Sequence, residues 1–402
     1  MIRISGPQAG VALRNLCGCM TPARVAKLVE IRDGATLLDK GLALWFPGPG
    51  SVTGEDLAEL HVHGGRAVVA AVLAALGRMP GLRGAEAGEF TRRGFANGRI
   101  DLAEAEGLAD LLAAETESQR QSALVLAEGG LGRHVADWQN RLLMAGAAIE
   151  AALDFSDEDD VDEAAGLRAQ AVTRALAGDI ATMLATPPAE RLRDGVMVVL
   201  AGPPNSGKSS LFNALVDRDA AIVSEIAGTT RDRIEAPIAL GGVPLVLVDT
   251  AGLRQSNDQI EAMGVARTTD AMARADLTLW LGDAGDCPKA ALLIAAKADL
   301  DQGRAGLAVS AKTGAGLDVL KAALIDRAQG LLPKPGALAL NARHRSILVE
   351  VLVELEAAAV ASDPLIHAEH LRLARIGLDR LTGRAGVEDM LDALFGRFCI
   401  GK

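Results

Sequence analysis

The stretch Val196-Met197-Val198-Val199-Leu200-Ala201-Gly202-Pro203-Pro204-Asn205-Ser206-Gly207-Lys208-Ser209-Ser210-Leu211 decides the fold. The apolar run Val196–Leu200 has the length of a buried parallel strand, and Leu211 and Leu215 follow at helical spacing. Between them, Gly202 to Ser209 fits the Gly-x-x-x-x-Gly-Lys-Ser pattern of a phosphate-binding loop. Its glycines let backbone N–H groups turn inward around phosphates, and the helix N-terminus adds its positive end. Lys208 is placed to reach the β- and γ-phosphates, and the Ser209 hydroxyl to bind Mg²⁺. A chance glycine-rich turn is the alternative, and the flanking strand and helix count against it.

Further along lie the segments a GTP-binding domain needs. Asp249-Thr250-Ala251-Gly252 closes the strand-like run Val243–Val248. Asp249 is expected to hold Mg²⁺ through water, and Gly252 to sense the γ-phosphate. Gly228-Thr229-Thr230-Arg231-Asp232 stands where a first switch belongs, and one of its threonines caps Mg²⁺. Lys297-Ala298-Asp299 follows the run Leu292–Ala295. Asp299 is expected to accept from guanine N1 and N2 while Lys297 covers the base face. Ser310-Ala311-Lys312 suits a backbone contact to the base. Each motif alone is no more than a polar turn; their order carries the nucleotide reading. The usual base motif opens with Asn, but position 296 is Ala, which removes a donor to the base edge and a brace to the phosphate loop. One net hydrogen bond is worth about 1 kcal/mol, so affinity is expected to fall several-fold.

The whole chain sets bounds on this. It has 402 residues, enough for two or three domains, with 50% hydrophobic and 23% charged. Aromatics are 2% with no Tyr, so Leu, Val and Ala must build the core. A net charge of -11 argues against a general polyanion binder, and any nucleic-acid contact needs a local basic patch. The apolar run Ala67–Leu76 is too short for a bilayer and reads as a buried helix. No signal peptide is apparent, and Cys17, Cys19, Cys287 and Cys399 form no disulfide framework; a cytoplasmic protein without membrane segments is expected.

Residues 1–97 mix strand-like runs (Ile2–Ile4, Gly41–Trp45, Leu57–Val62) with turns and suggest a small α+β domain. From Asp101, an N-cap candidate, Leu102, Ala105, Leu108, Leu111 and Leu112 recur at helical spacing. Helical patterning runs to about Leu184, interrupted by the acidic stretch Asp154–Glu163, a solvated connection. Residues 193–332 alternate strand and helix signals, and from 333 the pattern is helical again, with Leu391, Leu394, Phe395 and Phe398 on one face. The expected chain is therefore multidomain: an α+β domain at 1–97, a discontinuous helical domain at 98–192 and 333–402, and a Ras-like α/β P-loop domain inserted at 193–332.

Several segments outside the nucleotide motifs, taken with them, give a resemblance. Leu44-Trp45-Phe46-Pro47-Gly48-Pro49, Thr53-Gly54-Glu55-Asp56, His63-Gly64-Gly65, Gly88-Glu89-Phe90-Thr91 and the terminal Phe398-Cys399-Ile400-Gly401-Lys402 resemble the tRNA modification GTPase family MnmE, also called TrmE. The resemblance covers nearly the whole chain. It implies a bacterial cytoplasmic GTP hydrolase that dimerises through its N-terminal domain. With a flavoprotein of the MnmG type, in a heterotetramer, it would modify C5 of the wobble uridine of certain tRNAs. The one-carbon donor implied is 5-formyltetrahydrofolate or a related folate.

Carried over by motif, the resemblance places Ser206, Ser210, Ser224, Glu225, Ile226 and Ala227 in the GTP/GDP-binding set with the residues above. It assigns Asn205, Ser224, Ile226 and Thr229 to K⁺, and Thr230 beside Ser209 to Mg²⁺. K⁺ would stand in for an arginine finger in stabilising developing charge. Glu261 matches the glutamate that orients the attacking water, and Glu261, Lys208 and Thr230 form the implied catalytic set. Arg3, Glu59, Arg99 and Lys402 match the folate positions; surface ion pairs and a strand-end carboxylate are their plainer readings. Cys399 is either packing or part of the modification chemistry. Cys17-Gly18-Cys19 has no companion ligands for a metal, and His61 and His63 read as loop structure.

Two departures stand out. The family carries a further strand and a Gly-rich turn ahead of the segment matching Ile2–Gly6, where this sequence has only Met1. Either the start is late or the folate pocket and dimer face are altered. Second, the strand Leu277–Leu281 is followed almost at once by Leu292–Ala295, although a parallel crossover needs a dozen or more residues. One face of that sheet is expected to be less covered. A ribosome-assembly GTPase would explain the nucleotide motifs but not the terminal segments. A nucleotide-binding scaffold without hydrolysis would suit Ala296 but not intact Lys208, Ser209, Thr230 and Asp249.

Overall fold

A computed structural model describes residues 1–154, 163–219, 235–250, 270–301 and 303–384, with 391, 394–396 and 398. The chain divides into two compact units, 1–109 with 127–137 and 378–402, and 110–126 with 138–377.

The first unit holds a four-stranded sheet in the order β1-β4-β3-β2, antiparallel throughout. Its strands are β1 (Ile2–Ser5), β2 (Lys27–Asp33), β3 (Thr36–Phe46) and β4 (Leu57–His61). Alternation sets its faces: in β2, Val29 and Ile31 are buried while Leu28 and Glu30 are exposed. The buried face packs on α1 (Ala9–Cys17) and α2 (Arg66–Gly77), with Ile4, Leu13, Leu16, Ile31, Leu60 and Val72 at the centre. Each such aliphatic side chain contributes about 1.5–3 kcal/mol by leaving water. His63 is loop structure: its Nδ1 lies 2.8 Å from Asp39 Oδ1, and its backbone N–H donates to Asp39 Oδ2.

α3 (Glu89–Ala96) starts at Gly88 and α4 (Leu102–Ala113) after Asp101. Asp101 is the expected cap. Glu104 N–H donates to Asp101 Oδ1 at 2.7 Å and Asp101 N–H to Glu104 Oε2 at 2.6 Å. Leu391, Leu394, Phe395 and Phe398 gather with Phe95, Leu102 and Ala105 in one apolar cluster. Gly88 belongs there by necessity: a Cβ on it would lie 2.2 Å from the Phe395 carbonyl oxygen, and its φ is +70°.

The second unit holds a six-stranded sheet in the order β10-β9-β8-β5-β7-β6. The strands are β5 (Val196–Ala201), β6 (Glu235–Leu240), β7 (Val243–Asp249), β8 (Leu277–Trp280), β9 (Leu292–Ala296) and β10 (Leu307–Val309). All neighbours are parallel except β6 and β7. Helices α5 (Glu117–Ala127), α6 (Gly130–Asp154), α7 (Glu163–Leu184) and α8 (Ala189–Asp194) precede β5 in sequence. α9 (Lys208–Asp219) and α10 (Leu317–Gln329) cover one face of the sheet in a large cluster that includes Val198, Leu200, Leu211, Leu247, Leu279, Leu320 and Leu324. α11 (Ala342–Val360) packs on α7, and α12 (Pro364–Thr382) follows.

On the other face, the described residues Val199, Ala201 and Val248 gather with Met272 and Trp280 partly buried against them. Between β8 and β9 the chain makes only the 3-10 turn Ala284–Asp286, and the strands pair only at Leu279 with Leu292 and Trp280 with Leu293. Trp280 Nε1 donates to the Asp283 carbonyl at 3.1 Å, which folds the loop back onto the strand end. Arg304, from the next connection, lies 3.6 Å from Asp283. Among the described residues no helix is long and apolar enough to cross a membrane.

Candidate nucleotide site

The ends of β5, β7 and β9 place the site. β5 runs into the loop 202–207, which opens α9 at Lys208. Gly202 has φ +142°, and a Cβ there would lie 3.0 Å from the Leu281 carbonyl carbon, so only glycine lets the loop leave the sheet so close to its neighbour. Gly207 has φ +105°, and Asn205 has φ +60°, a conformation Asn tolerates better than most side chains. Leu211 N–H donates to the Gly207 carbonyl at 2.9 Å, closing the first turn of α9 under the loop.

Lys208 is 5% exposed, and its Nζ donates to the carbonyls of Gly202 at 3.0 Å and Pro203 at 2.8 Å. The ammonium thus lies within the loop's own curve. The Ser206 hydroxyl is buried there without a hydrogen-bond partner among the described residues. An anion inside the loop fits both observations: the lysine can turn to it, and the orphaned hydroxyl gains a neighbour. Ser209 and Ser210 are exposed on the first turn of α9. Asp249 is 5% exposed at the end of β7. Thr250, next to it, donates its buried hydroxyl to the Leu200 carbonyl at 2.8 Å, which locks the ends of β7 and β5 together. Nothing in the sequence singled out that bond.

The base end is built from two short loops. Ser310 donates its hydroxyl to Asp299 Oδ1 at 2.7 Å, and Thr313 N–H donates to the same hydroxyl at 3.2 Å. The Ser310 hydrogen bond holds the Asp299 carboxyl below its usual range, and the Lys312 charge adds to this. The carboxylate is therefore ionised and oriented. Lys297 sits at φ +60° and donates from Nζ to the Asn205 carbonyl at 2.7 Å, so it ties the base loop to the phosphate loop. Ala296 is 6% exposed and faces Gly207, its Cβ 3.6 Å from where a Gly207 Cβ would stand. A methyl occupies the position from which an Asn carboxamide would brace the loop.

The structure thus brings together Asn205, Ser206, Gly207, Lys208, Ser209, Asp249, Thr250, Lys297, Asp299 and Ser310, with Ala311 and Lys312 following Ser310. Ser224, Glu225, Ile226, Ala227, Gly228, Thr229, Thr230, Ala251, Gly252 and Glu261 lie outside the described residues, as do Cys399 and Lys402.

Two of the proposed folate residues meet in the first unit. Arg3 and Glu59 are register partners on β1 and β4, with Nε to Oε1 at 3.0 Å, and the Arg3 guanidinium stands 4.5 Å over the Phe90 ring. Arg99 is exposed, with its Cγ near Gly54, and no described bond joins it to that pair. Next to it a charged network fixes the loop of Thr53-Gly54-Glu55: Arg93 bridges Glu55 and Glu89, and Ser5 donates to Glu55. Hydrogen bonds from Arg83 and then Arg93 hold the Glu89 carboxyl down at about 2.

Comparison with known proteins agrees with this architecture. The family described as GTP-binding protein TrmE N-terminus matches residues 1–99, and that described as MnmE helical domain matches residues 102–399. The tRNA modification GTPase MnmE of Rhizorhabdus wittichii is 57% identical over 412 residues, spanning 100% of this chain and 93% of that protein. The protein of the same name from Erythrobacter litoralis is 56% identical over 408 residues, spanning 100% and 96%. Among solved structures, the G domain of the T. maritima FeoB iron transporter is 26% identical, covers 33% of this chain and 99% of its own, and gives a TM-score of 0.25.

Proposed function

The chain belongs to the tRNA modification GTPase MnmE family, and from that premise we propose a K⁺-dependent GTP hydrolase that serves the modification of wobble uridine in tRNA. One observation carries the nucleotide half: a buried lysine and an orphaned serine hydroxyl inside a loop whose glycines exclude side chains. Lys208 and the loop N–H groups bind and orient the β- and γ-phosphates. Asp299, held by Ser310, selects guanine. Ser209 and Thr230 would hold Mg²⁺ with Asp249 behind it, and Asn205, Ser224, Ile226 and Thr229 would hold K⁺. Bound there, the two cations supply positive charge where the leaving and transferring oxygens become more negative. Glu261 would position the water.

The remaining assignments follow the family and are proposals of the same kind. The α+β domain 1–97 takes a folate of the 5-formyltetrahydrofolate type through Arg3, Glu59, Arg99 and Lys402, and pairs with a second copy. The helical domain, 98–192 with 333–402, frames the GTPase domain 193–332. An MnmG-type flavoprotein and tRNA are the partners, with Cys399 near the modification chemistry and the cytoplasm as the compartment.

A GTPase assay in K⁺ against Na⁺ tests the proposal. Hydrolysis at least tenfold faster in K⁺ is expected. Equal rates in the two salts would remove the K⁺ mechanism, and unchanged turnover in a Glu261→Ala variant would remove that residue from catalysis.

A further inference from the structure

The phosphate loop and the strand that carries Asp249 both start from one joint on the helical segment. α8 runs into β5 through Gly195, and β7 begins at the hairpin turn Gly241-Gly242. Both starts meet the N-terminus of α5. The Gln119 carboxamide is fully used there. Its Oε1 accepts from the backbone N–H of Glu115 at 2.8 Å and of Thr116 at 2.9 Å. Its Nε2 donates to the carbonyls of Leu192 at 3.0 Å and Arg193 at 3.3 Å. One half of the side chain caps α5, and the other holds the last turn of α8. Next to it, Ser118 N–H donates to the Gly242 carbonyl at 3.4 Å.

The elements on the far side of this joint are rigidly coupled to the site. A Cβ at Gly195 would lie 3.1 Å from Val246 Cγ2 and 3.3 Å from the Leu245 carbonyl carbon, so the α8–β5 junction is pressed onto β7. Arg191 pairs with Asp276 at 3.0 Å, and Asp276 also accepts from Met197 N–H at 3.0 Å, which makes α8 and β5 one piece. β7 has seven residues, so about 23 Å of strand joins Asp249 to the Gly242 contact. Beside Gln119 lies a cavity of about 240 Å³, walled by Ala113, Ala123, Leu126, Leu192 and Ala339. Packed interiors resist small shifts, and this cavity leaves α5 room to follow a shift of α8.

We infer that Gln119 is the positioning residue that passes the nucleotide state of the site to the helix 117–127. It does so by holding the root of the phosphate loop to that helix. The inference rests on the nucleotide reading above. If Gln119 were only a helix cap, its acceptor half would suffice. Gln119→Glu separates the two halves: it keeps a Thr-x-x-Glu capping box but turns the donor contacts with Leu192 and Arg193 into contacts between oxygens. Thr116→Ala does the reverse, removing the Thr116 Oγ1 that accepts from Gln119 N–H at 3.3 Å and leaving the Nε2 bonds in place.

Hydrogen exchange of the full-length protein with Mg²⁺, read by mass spectrometry in GDP and in a non-hydrolysable GTP analogue, tests this. In the wild type, peptides covering 115–126 are expected to exchange at rates differing at least threefold between the two states. In Gln119→Glu that difference should vanish, while peptides covering 202–212 keep theirs and GDP affinity and basal turnover stay within twofold. Thr116→Ala should exchange faster in both states yet keep the difference. A difference that persists in Gln119→Glu, or one lost equally in Thr116→Ala, overturns the joint. So does a wild type that responds at 202–212 but not at 115–126. A wild type that responds at neither place sinks the nucleotide reading, and the joint with it.

Discussion

The loop 202–207 of the candidate site is held by backbone, and the end around Asp299 and Ser310 by side chains. At Gly202 and Gly207 positive φ values curve the loop, and the neighbouring strand end leaves no space for a Cβ on Gly202. The buried Lys208 sits inside that curve. At the other end, Asp299 depends on Ser310, and Lys297 reaches across to Asn205 in a left-handed conformation, while Ala296 offers only a methyl. The connection after β8 is short, with only a 3-10 turn. Chemistry needs the phosphates fixed to within fractions of an ångström, and a rigid sheet end supplies that. The base needs only enough contacts to be chosen, and a chain can thin those without losing the reaction.

If that contrast is correct, damage at the phosphate end should be the most severe. Lys208→Ala removes the buried ammonium inside the loop. Loss of such a donor typically costs about 10²–10³-fold in turnover, and a charged hydrogen bond of about 1.5–3 kcal/mol puts GTP affinity by calorimetry down roughly 10–100-fold. Retained affinity within tenfold would mean the loop amides alone hold the nucleotide.

Asp299→Asn comes next. Two hydrogen bonds to a charged acceptor, each worth about 1.5–3 kcal/mol, are exchanged for contacts of the wrong polarity, so GDP affinity should fall at least 100-fold. Xanthosine diphosphate, which presents an acceptor where guanine has its amino group, should then bind better than GDP. An unchanged preference for GDP would place base selection elsewhere. Ser310→Ala is milder. Asp299 keeps its charge but loses the hydroxyl that orients it, and about 1 kcal/mol predicts roughly fivefold weaker GDP binding.

The same contrast explains what the sequence revealed. The phosphate loop was legible because its geometry demands glycines at fixed spacing and one lysine, and few other residues can stand there. β5, β7, β8 and β9 were legible because the strands of a parallel sheet write continuous apolar runs. α1, β2, β6 and α8 were not. α1 carries Gly10 and a short apolar stripe, and Val29 and Ile31 mark β2 between charged neighbours. β6 has Pro237 in an edge strand, and α8 is a six-residue helix held by tertiary bonds such as those from Gln119. The tie from Lys297 to Asn205 and the Thr250 anchor on Leu200 are contacts across long sequence separations, which no local pattern encodes.

Ala296→Asn should have the smallest effect, and its sign tests how the base end has adapted. Restoring the carboxamide offers one hydrogen bond to the base edge and one to the phosphate loop, worth about 1 kcal/mol each. Against this stands packing. Ala296 is 6% exposed and faces Gly207, and forcing extra atoms into a filled site costs about 1–3 kcal/mol. The contact at 3.6 Å is ordinary van der Waals distance, and the Gly207 side is a loop, not a sheet core. The hydrogen bonds should therefore win by a small margin, giving GDP binding several-fold tighter by calorimetry with turnover unchanged. Weaker binding would mean that the loop has closed onto the methyl and that the Lys297–Asn205 bond has replaced the lost brace. In that case Lys297→Met should destabilise GDP binding more in the native sequence than beside Asn at 296, and the base end would be rebuilt around a different tie.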